Sequence, residues 1–491
     1  MKDLKEKTVR GGLARIIAQG ATFCLRIGSL MILARLIDPK DFGLVGMVTA
    51  FTGVLNLFRD FGLGTAAVQH ETVTDEQVSN LFWLNVAFGF ALALLTAALA
   101  PLIVVFYHEP RLFPLTLVMA SALFFNALGV QHSAILQRDM RFTGLSVINV
   151  AAIALSSAAA IGLAEMGFGY WALVAMAVLY PLISSIGSWM LASWIPRLPR
   201  RGVGLRSMMR FGATVTLNSI VVYIAYNMEK ALLGRFWGAN AIGIYGRAYQ
   251  LVNVPTDNLN SAAGEVAFSA LSRVQHEPER LRRYFLNGYS LITSLTIPAT
   301  MIAALFAKDL IAVLLGPKWL EAAPIFRLLA PTIAIFAMIN PFGWLLLALG
   351  KVKRSLQIAL VIAPLVIAGY LTGLPFGPKG VALGYSLSMS CWLFPHILWC
   401  IRGTAISFAD VMRSLRSPVV SAAIATVSVL VLHPWLVRLG SPYLRLSVGL
   451  GTFSAVYVCT ILFVMGEMKL YSMLAKEFTR GRRDQEAQTA A

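Results

Sequence analysis

Ionised side chains inside long apolar segments are the residues of this sequence whose types and spacing could do chemistry. Such a side chain is costly in hydrocarbon unless it faces water or an opposite charge. The basic members of the set are Arg15, Arg26, Arg59, Lys230, Arg247 and Arg327. The acidic members are Asp60, Glu229, Asp257 and Glu265. All except Arg327 lie in four helical segments, which we therefore expect to line a polar cavity with excess positive charge.

Polar residues recur at three- and four-residue steps within these four segments, which places them on one face of each predicted helix. The four sets are Arg15, Gln19, Thr22, Arg26 and Ser29; Thr49, Thr52, Asn56 and Arg59; Thr216, Ser219, Tyr223, Asn227 and Lys230; and Arg247, Gln250, Asn253, Asp257 and Ser261. Each helix is thus predicted to present one wet face.

From this pattern we predict a substrate-binding set and a set of ion-coupling or counter-ion carboxylates. The substrate-binding set is Arg15, Arg26, Arg59, Lys230, Arg247, Asn56 and Asn227. The carboxylate set is Asp60, Glu229 and Asp257. No catalytic residue is predicted, and the scattered histidines and cysteines indicate no metal site.

Structural roles remain open for several of these residues. Arg15 could extend its charge to the nearby membrane surface, and Arg59 could pair with a carboxylate on a neighbouring segment. Glu229 and Asp257 could act as counter-ions that hold helices together instead of binding a ligand.

The composition argues against a water-soluble fold. Of 491 residues, 58% are hydrophobic and 13% are charged, about half the charged fraction of a soluble domain. The net charge of +18 does not indicate nucleic-acid binding, because most basic residues lie in short gaps between apolar runs and not in one solvated stripe.

The apolar runs are about 20 or more residues long, which is the length of a membrane-spanning helix and not of a barrel strand. We predict about fourteen spans, near residues 10–36, 41–67, 80–107, 112–134, 143–164, 167–193, 209–236, 240–266, 285–307, 320–348, 355–374, 379–401, 416–434 and 444–466. Loops on the side of the N-terminus hold 26 Lys and Arg residues, whereas the opposite loops hold nine. The positive-inside rule then places both termini in the cytoplasm.

An internal repeat becomes visible when the chain is displaced by 200 residues. The pattern R-x7-G-x2-G aligns Arg35, Gly43 and Gly46 with Arg235, Gly243 and Gly246, and a weaker echo relates residues 102–111 to 310–318. Six spans per repeat give both repeats the same orientation, so the fold is predicted to be two six-helix lobes related by a pseudo-two-fold axis along the membrane normal. The predicted regions are a lobe at 1–195, a basic linker at 196–208, a lobe at 209–402, helices 13 and 14 at 403–466 and a basic tail at 467–491.

Several stretches of the sequence resemble a known family. They are LARLIDPKDFGLVGMV (33–48), FRDFGLGTAAVQ (58–69), LFWLN (81–85), APLIVVFYHEPRL (100–112), AILQRDMRF (134–142) and GYWALV (169–174). The sequence is similar here to bacterial Wzx-type polysaccharide flippases of the multidrug/oligosaccharidyl-lipid/polysaccharide exporter (MOP) superfamily. The similarity is dense over the first 190 residues and rests thereafter mainly on hydropathy and on the region of spans 7 and 8.

The resemblance implies two lobes around a central cavity and transport by alternating access in the bacterial inner membrane. The implied substrate is an undecaprenyl-pyrophosphate-linked oligosaccharide, with membrane lipids, a polysaccharide polymerase and glycosyltransferases as partners. No cofactor is expected, and coupling to H⁺ or Na⁺ is left open. A cationic cavity suits this substrate because arginine binds phosphate oxygens through paired donors.

Other functions are weighed against this one. A multidrug-cation antiporter on the same fold would favour a net acidic cavity, whereas basic residues are in excess here. A lipid II flippase is closer, and the effect of gene deletion on viability would distinguish it. A polysaccharide polymerase or ligase would need a large outer loop with catalytic Arg and His, and no predicted outer loop is long enough. A membrane scaffold would leave the polar helix faces unexplained.

Overall fold

The structure of the protein is a computed structural model that describes residues 2–58, 74–199 and 206–467. Inside these ranges the description leaves out the side chains of residues 2–18, 56–58, 206–222, 224–225, 255, 257–263, 265–266 and 352. Every regular element in the described ranges is helical. The first seven helices are α1 (Lys2–Leu36), α2 (Pro39–Phe58), α3 (Asp75–Tyr107), α4 (Leu112–Arg138), α5 (Phe142–Glu165), α6 (Tyr170–Ala192) and α7 (Arg206–Arg273).

Eight more helices follow: α8 (Pro278–Leu305), α9 (Ala307–Leu314), α10 (Ala322–Leu329), α11 (Pro331–Ala348), α12 (Val352–Gly373), α13 (Gly377–Ile401), α14 (Phe408–Arg438) and α15 (Pro442–Cys459). A single π-helical segment, Thr460–Val464, extends α15. Within the described residues, nine stretches are long and apolar enough to cross a membrane, and one of them joins α12 to α13. The chain is therefore a multi-pass, all-α membrane protein.

Each predicted span has a helical counterpart among the described residues, although the boundaries differ in places. The spans predicted at 209–236 and 240–266 are the two arms of α7, which bends at Gly238 (φ 78°, ψ −175°). The span predicted at 320–348 is divided into α10 and α11, and α11 begins at Pro331. A proline fits the first position of a helix because its missing N–H needs no partner there.

The span predicted to begin at residue 416 begins earlier, because α14 starts at Phe408. A capping box explains the difference. The Ser407 hydroxyl accepts from the Asp410 backbone N–H at 3.2 Å, and the Asp410 carboxylate accepts from the Ser407 N–H at 3.0 Å. Asp410 also binds Arg282 of α8 with contacts of 2.9 and 2.6 Å, so the added turns of α14 are fastened to α8.

The chain forms two compact units. The first comprises Met1–Arg247, Leu314–Trp319 and Ala363–Val381, and the second comprises Ala248–Val313, Leu320–Ile362 and Ala382–Ala491. In the first unit α4 packs against α3 and α6, and α5 packs against α1 and α6. In the second unit α14 packs against α8 and α15. The predicted domain boundaries at residues 195, 208, 402 and 466 remain predictions.

The duplicated glycines lie in a close, reciprocal contact between α2 and α7 in the first unit. A Cβ added to Gly43 would overlap the carbonyl of Ala239, and one added to Gly243 would overlap the carbonyl of Pro39. The repeat aligns Pro39 with Ala239 and Gly43 with Gly243, so each contact is the copy of the other. Such exchange of equivalent contacts is the property of a two-fold relationship.

Residues at the weaker sequence repeat also form contacts between the two repeats. The segment 314–319 of the second repeat contacts the end of α1: the indole N–H of Trp319 donates to the carbonyl of Ala34 at 2.6 Å, and Lys318 pairs with Asp38 at 2.8 Å. In return, the ring of Tyr107 from the first repeat lies against Gly234 of α7. The equivalent end of the first helix in each duplicated pair is thus in contact with the other repeat.

We predict that Gly243→Ala destabilises the protein by about 1–3 kcal/mol, the usual cost of overpacking a tight contact. The new methyl group meets backbone atoms of Pro39, which cannot rotate away. Gly246→Ala is the matched control, because it alters the next glycine of the same motif, where an added Cβ has nothing within 4 Å. Thermal unfolding in detergent measures both variants, and equal melting temperatures would refute the close contact.

Candidate functional site

Five of the ten predicted site residues lie outside the described side chains. They are Arg15, Asn56, Arg59, Asp60 and Asp257. Their assignment remains a prediction from the sequence. The other five, Arg26, Asn227, Glu229, Lys230 and Arg247, belong to the first unit.

The polar face predicted for α1 is described from Gln19 onward. Thr22 and Ser29 are buried, each with 6% of its surface exposed, whereas Arg26 is exposed. The hydroxyl of Ser29 donates to the carbonyl of Arg26 at 3.1 Å, so it is satisfied within the helix. Arg26 therefore presents its charge at the surface of the first unit, one turn beyond Thr22.

Gln19 and Thr22 line a cavity of about 430 Å³ inside the first unit. Its other walls come from α4, α5 and α6, and most of the lining side chains carry hydroxyl or amide groups. The lining residues are Gln19, Thr22, Ser133, Gln137, Phe142, Leu145, Ser146, Ile148, Asn149, Ser184 and Ser188. None of them carries a formal charge. We call this space the amide-hydroxyl cavity.

Close packing of α4 on α6 shapes one wall of this cavity. Gly129 lets the two backbones approach, because a Cβ at this position would lie 2.9 Å from the Cα of Ser185. The Ser185 hydroxyl donates to the carbonyl of Phe125 at 2.6 Å. Ser133 and Ser188 then share a hydrogen bond of 3.1 Å. The wall is thus prearranged by contacts between the two helices.

Lys230 lies on a line of hydrogen bonds along the first arm of α7. Its ammonium group donates to the side-chain oxygen of Asn227 at 2.6 Å. The amide nitrogen of Asn227 donates to the carbonyl of Tyr223 at 3.0 Å, and the Tyr223 hydroxyl donates to the carbonyl of Thr49 on α2 at 3.4 Å. Two predicted site residues are thereby in contact, and the position of Lys230 depends on the packing of α2 against α7.

Glu229 has the opposite environment to its neighbour Lys230. Its side chain is fully buried, and neither carboxylate oxygen has a hydrogen-bond partner among the described residues. Burying an unpartnered carboxylate is costly. Adjacent helical residues point about 100° apart, so Glu229 and Lys230 occupy different faces of α7. Glu229 is the carboxylate of the described site that packing leaves without a structural hydrogen bond.

Arg247 rests on an aromatic ring of α2. Its guanidinium carbon lies 4.3 Å from the ring centroid of Phe42, which is the geometry of a cation–π interaction. Phe42 in turn packs edge-on against Trp319, with ring centroids 5.2 Å apart. Phe42 directly precedes Gly43, so the glycine contact between α2 and α7 also places the ring that holds Arg247.

With this geometry described, comparison with known proteins identifies the family. A family model described as polysaccharide biosynthesis protein matches residues 32–324, which is more than half of the chain. The chain belongs to this polysaccharide biosynthesis protein family. This chain is 28% identical over 395 residues to the lipopolysaccharide biosynthesis protein WzxC of Escherichia coli strain K12, and the match covers 78% of this chain and 79% of WzxC. The Wzx-type resemblance is thus confirmed.

The fold predicted for this chain agrees with two solved structures. The inward-closed lipid II flippase MurJ superposes with a TM-score of 0.75 at 12% identity, over 94% of this chain and 100% of MurJ. An inward-facing multidrug-resistance MATE transporter of the MOP superfamily superposes with a TM-score of 0.61 at 16% identity, over 79% of this chain and 97% of the transporter. At these identities the likeness concerns the fold, and the predicted MOP-like architecture is confirmed.

The parts of the candidate site on α4, α5 and α6 were not predicted from the sequence. The predicted site residues are in the segments with interior charge, and these three helices carry almost none. A weaker signal was present in pairs of polar residues at three- and four-residue spacing on each helix. The pairs are Ser133 and Gln137, Ser146 and Asn149, and Ser184 and Ser188. Such pairs place uncharged polar groups on one helix face.

We predict that Ser184→Leu leaves the stability of the protein within about 1 kcal/mol of the parent, because the larger side chain enters open space in the amide-hydroxyl cavity. Ser185→Leu is the comparison at the adjacent residue. It removes the hydrogen bond to Phe125 and collides with Gly129, which predicts a loss of about 2 kcal/mol or more. Thermal unfolding compares them, and equal destabilisation would count against an open cavity at Ser184.

Proposed function

We propose that this chain is a flippase that moves an undecaprenyl-pyrophosphate-linked oligosaccharide from the cytoplasmic to the periplasmic leaflet for surface polysaccharide export. The transport cycle is alternating access, in which the binding site opens to one side of the membrane at a time. The family match, the relative WzxC and the fold shared with a lipid II flippase support this proposal.

The observation that carries the proposal is the position of Arg26 one helical turn from the amide-hydroxyl cavity. Thr22 lines that cavity, and Arg26 follows it by four residues on the same face of α1. A lipid-linked oligosaccharide combines an anionic pyrophosphate with a hydroxyl-rich sugar. Neighbouring cationic and hydroxyl-rich surfaces match these two chemistries.

Within this proposal, arginine and lysine bind the anionic part of the substrate. Arg26, Lys230 and Arg247 contribute from the described residues, together with Arg15 and Arg59. Arg247, whose guanidinium lies over the ring of Phe42, combines a cation–π contact with the planar donor geometry that suits phosphate oxygens. Asn227 holds the ammonium group of Lys230 in place.

Coupling to an H⁺ or Na⁺ gradient is part of the same proposal. Intramembrane carboxylates are the usual ion-coupling groups of transporters. Glu229 is buried without a hydrogen-bond partner among the described residues, which is the environment of a group whose charge changes during a cycle. Asp257 and Asp60 are the other carboxylates assigned to this role.

The proposal also places the protein in its cellular setting. The basic loops and termini lie in the cytoplasm, in accordance with the positive-inside rule, and the membrane is the bacterial inner membrane. Glycosyltransferases that build the lipid-linked repeat unit act before the flippase. A polysaccharide polymerase consumes the unit on the periplasmic side.

We expect Arg26→Ala and Lys230→Ala each to reduce polymer export to below about one tenth of the parent, the usual effect of losing a charge-assisted contact to phosphate. Export is measured as surface polysaccharide in a deletion strain that carries each variant, alongside the level of protein in the membrane. Lys318→Ala is the control, since it removes a positive charge from an exposed pair with Asp38. Normal export by both site variants would contradict their role.

Ser184→Leu tests the sugar-binding part of the proposal. The leucine occupies space in the amide-hydroxyl cavity without a predicted loss of stability, so we expect lower polymer export at unchanged membrane level. Ser184→Thr, which keeps the hydroxyl and adds one methyl group, is expected to export near the parent level. Undiminished export by Ser184→Leu would remove the cavity from the transport route.

A further inference from the structure

The second unit contains another cavity, of about 590 Å³, whose chemistry differs from that of the first. It lies where α8, α10 and α14 end and where α9 and α15 begin. Five of its lining residues are polar or charged and are called the polar wall: Lys308, Asp309, Arg327, His433 and Arg445. The other lining residues are apolar and are called the apolar wall. The cavity is therefore amphipathic and lies at one boundary of the membrane-spanning region.

Only part of its positive charge is neutralised by the protein. Arg445 binds the Asp309 carboxylate through two nitrogens, at 3.0 and 2.8 Å, and donates to the carbonyl of Leu439 at 3.1 Å. This pair is half-buried, with 25% and 17% of the two side chains exposed. The Asp309 carboxylate is thus neutralised by Arg445.

Two cations on the same wall remain without a carboxylate. Arg327 donates from its Nε atom to the carbonyl of Ala304 at 3.0 Å, which fixes the guanidinium at the cavity. Lys308 is exposed. Among the described residues, neither forms an ion pair with Asp or Glu. The polar wall therefore carries a net charge of about +2 that an anion can satisfy.

The apolar wall indicates what kind of anion fits. It is built largely by α14, whose Leu430 and Val437 line the cavity and are 53% and 56% exposed. In a membrane-spanning helix such exposed apolar surface faces lipid chains. A small inorganic anion would leave this wall unused, whereas a lipid occupies both walls.

We propose that this cavity binds the phosphate group of an anionic membrane lipid, with the acyl chains lying along α14. Arg327 and Lys308 hold the phosphate oxygens, and Arg445 stays in its pair with Asp309. The site lies within the second unit, and its existence does not depend on the proposed transport function. A lipid bound there stabilises the native protein, because it binds the folded state and not the unfolded chain.

Binding of phosphatidylglycerol to the detergent-purified, full-length protein tests this proposal, with native mass spectrometry as the measurement. Diacylglycerol lacks the phosphate and inorganic phosphate lacks the chains, so we expect neither to occupy the site at the concentration at which phosphatidylglycerol does. The double variant Lys308→Gln/Arg327→Gln is expected to weaken phosphatidylglycerol binding about tenfold or more. Lys308→Gln alone, at an exposed position without an ion pair among the described residues, is expected to weaken it about threefold or more.

Arg438→Gln is the matched control. Arg438 is a cation at the same end of α14, lies 4.9 Å from the ring centroid of Trp435 and does not line the cavity, so its loss is expected to leave binding unchanged. The proposal is overturned if the double variant binds phosphatidylglycerol as the parent does, if Arg438→Gln weakens binding equally, or if inorganic phosphate displaces the lipid at equal concentration.

Discussion

The close approach of α2 and α7 at Gly43 and Gly243 is the contact on which the described site depends. Without side chains at these positions, backbone meets backbone, and neighbouring residues take fixed places. Phe42 comes under the guanidinium of Arg247, and Thr49 receives the hydroxyl of Tyr223. The close approach that these two glycines permit thus positions Arg247 and the series of hydrogen bonds that ends at Lys230. The repeat makes the contact reciprocal, so each half supports the other.

A chain this apolar tolerates few polar groups at depth, and the described residues show two ways of accommodating them. Serines and threonines donate to carbonyls one turn back, as Ser29 and Thr52 do. Cations pair with carboxylates near helix ends, as Arg445 does with Asp309. Glu229 has neither solution among the described residues. A group that remains costly in the folded state is the kind of group that function retains.

The two cavities, one in each unit, differ in the chemistry of their walls. The cavity in the first unit is uncharged and rich in hydroxyl and amide groups, which suits sugars. The cavity in the second unit joins surplus positive charge to an apolar wall, which suits a lipid phosphate. Each cavity is built from helices within a single unit.

The sequence by itself determined the all-α membrane architecture, because hydrocarbon permits only closed backbone hydrogen bonding and a helix needs about 20 residues to cross it. It also determined the repeat, since Gly43 and Gly243 recur at fixed spacing. Tertiary structure decided the rest. That Gly43 faces Ala239, that Arg247 rests on Phe42, and that Ser133, Asn149 and Ser184 share one cavity are contacts between residues distant in the chain. Helix periodicity gives the face of each residue but not the neighbour it meets, because packing depends on side-chain volumes from several helices at once.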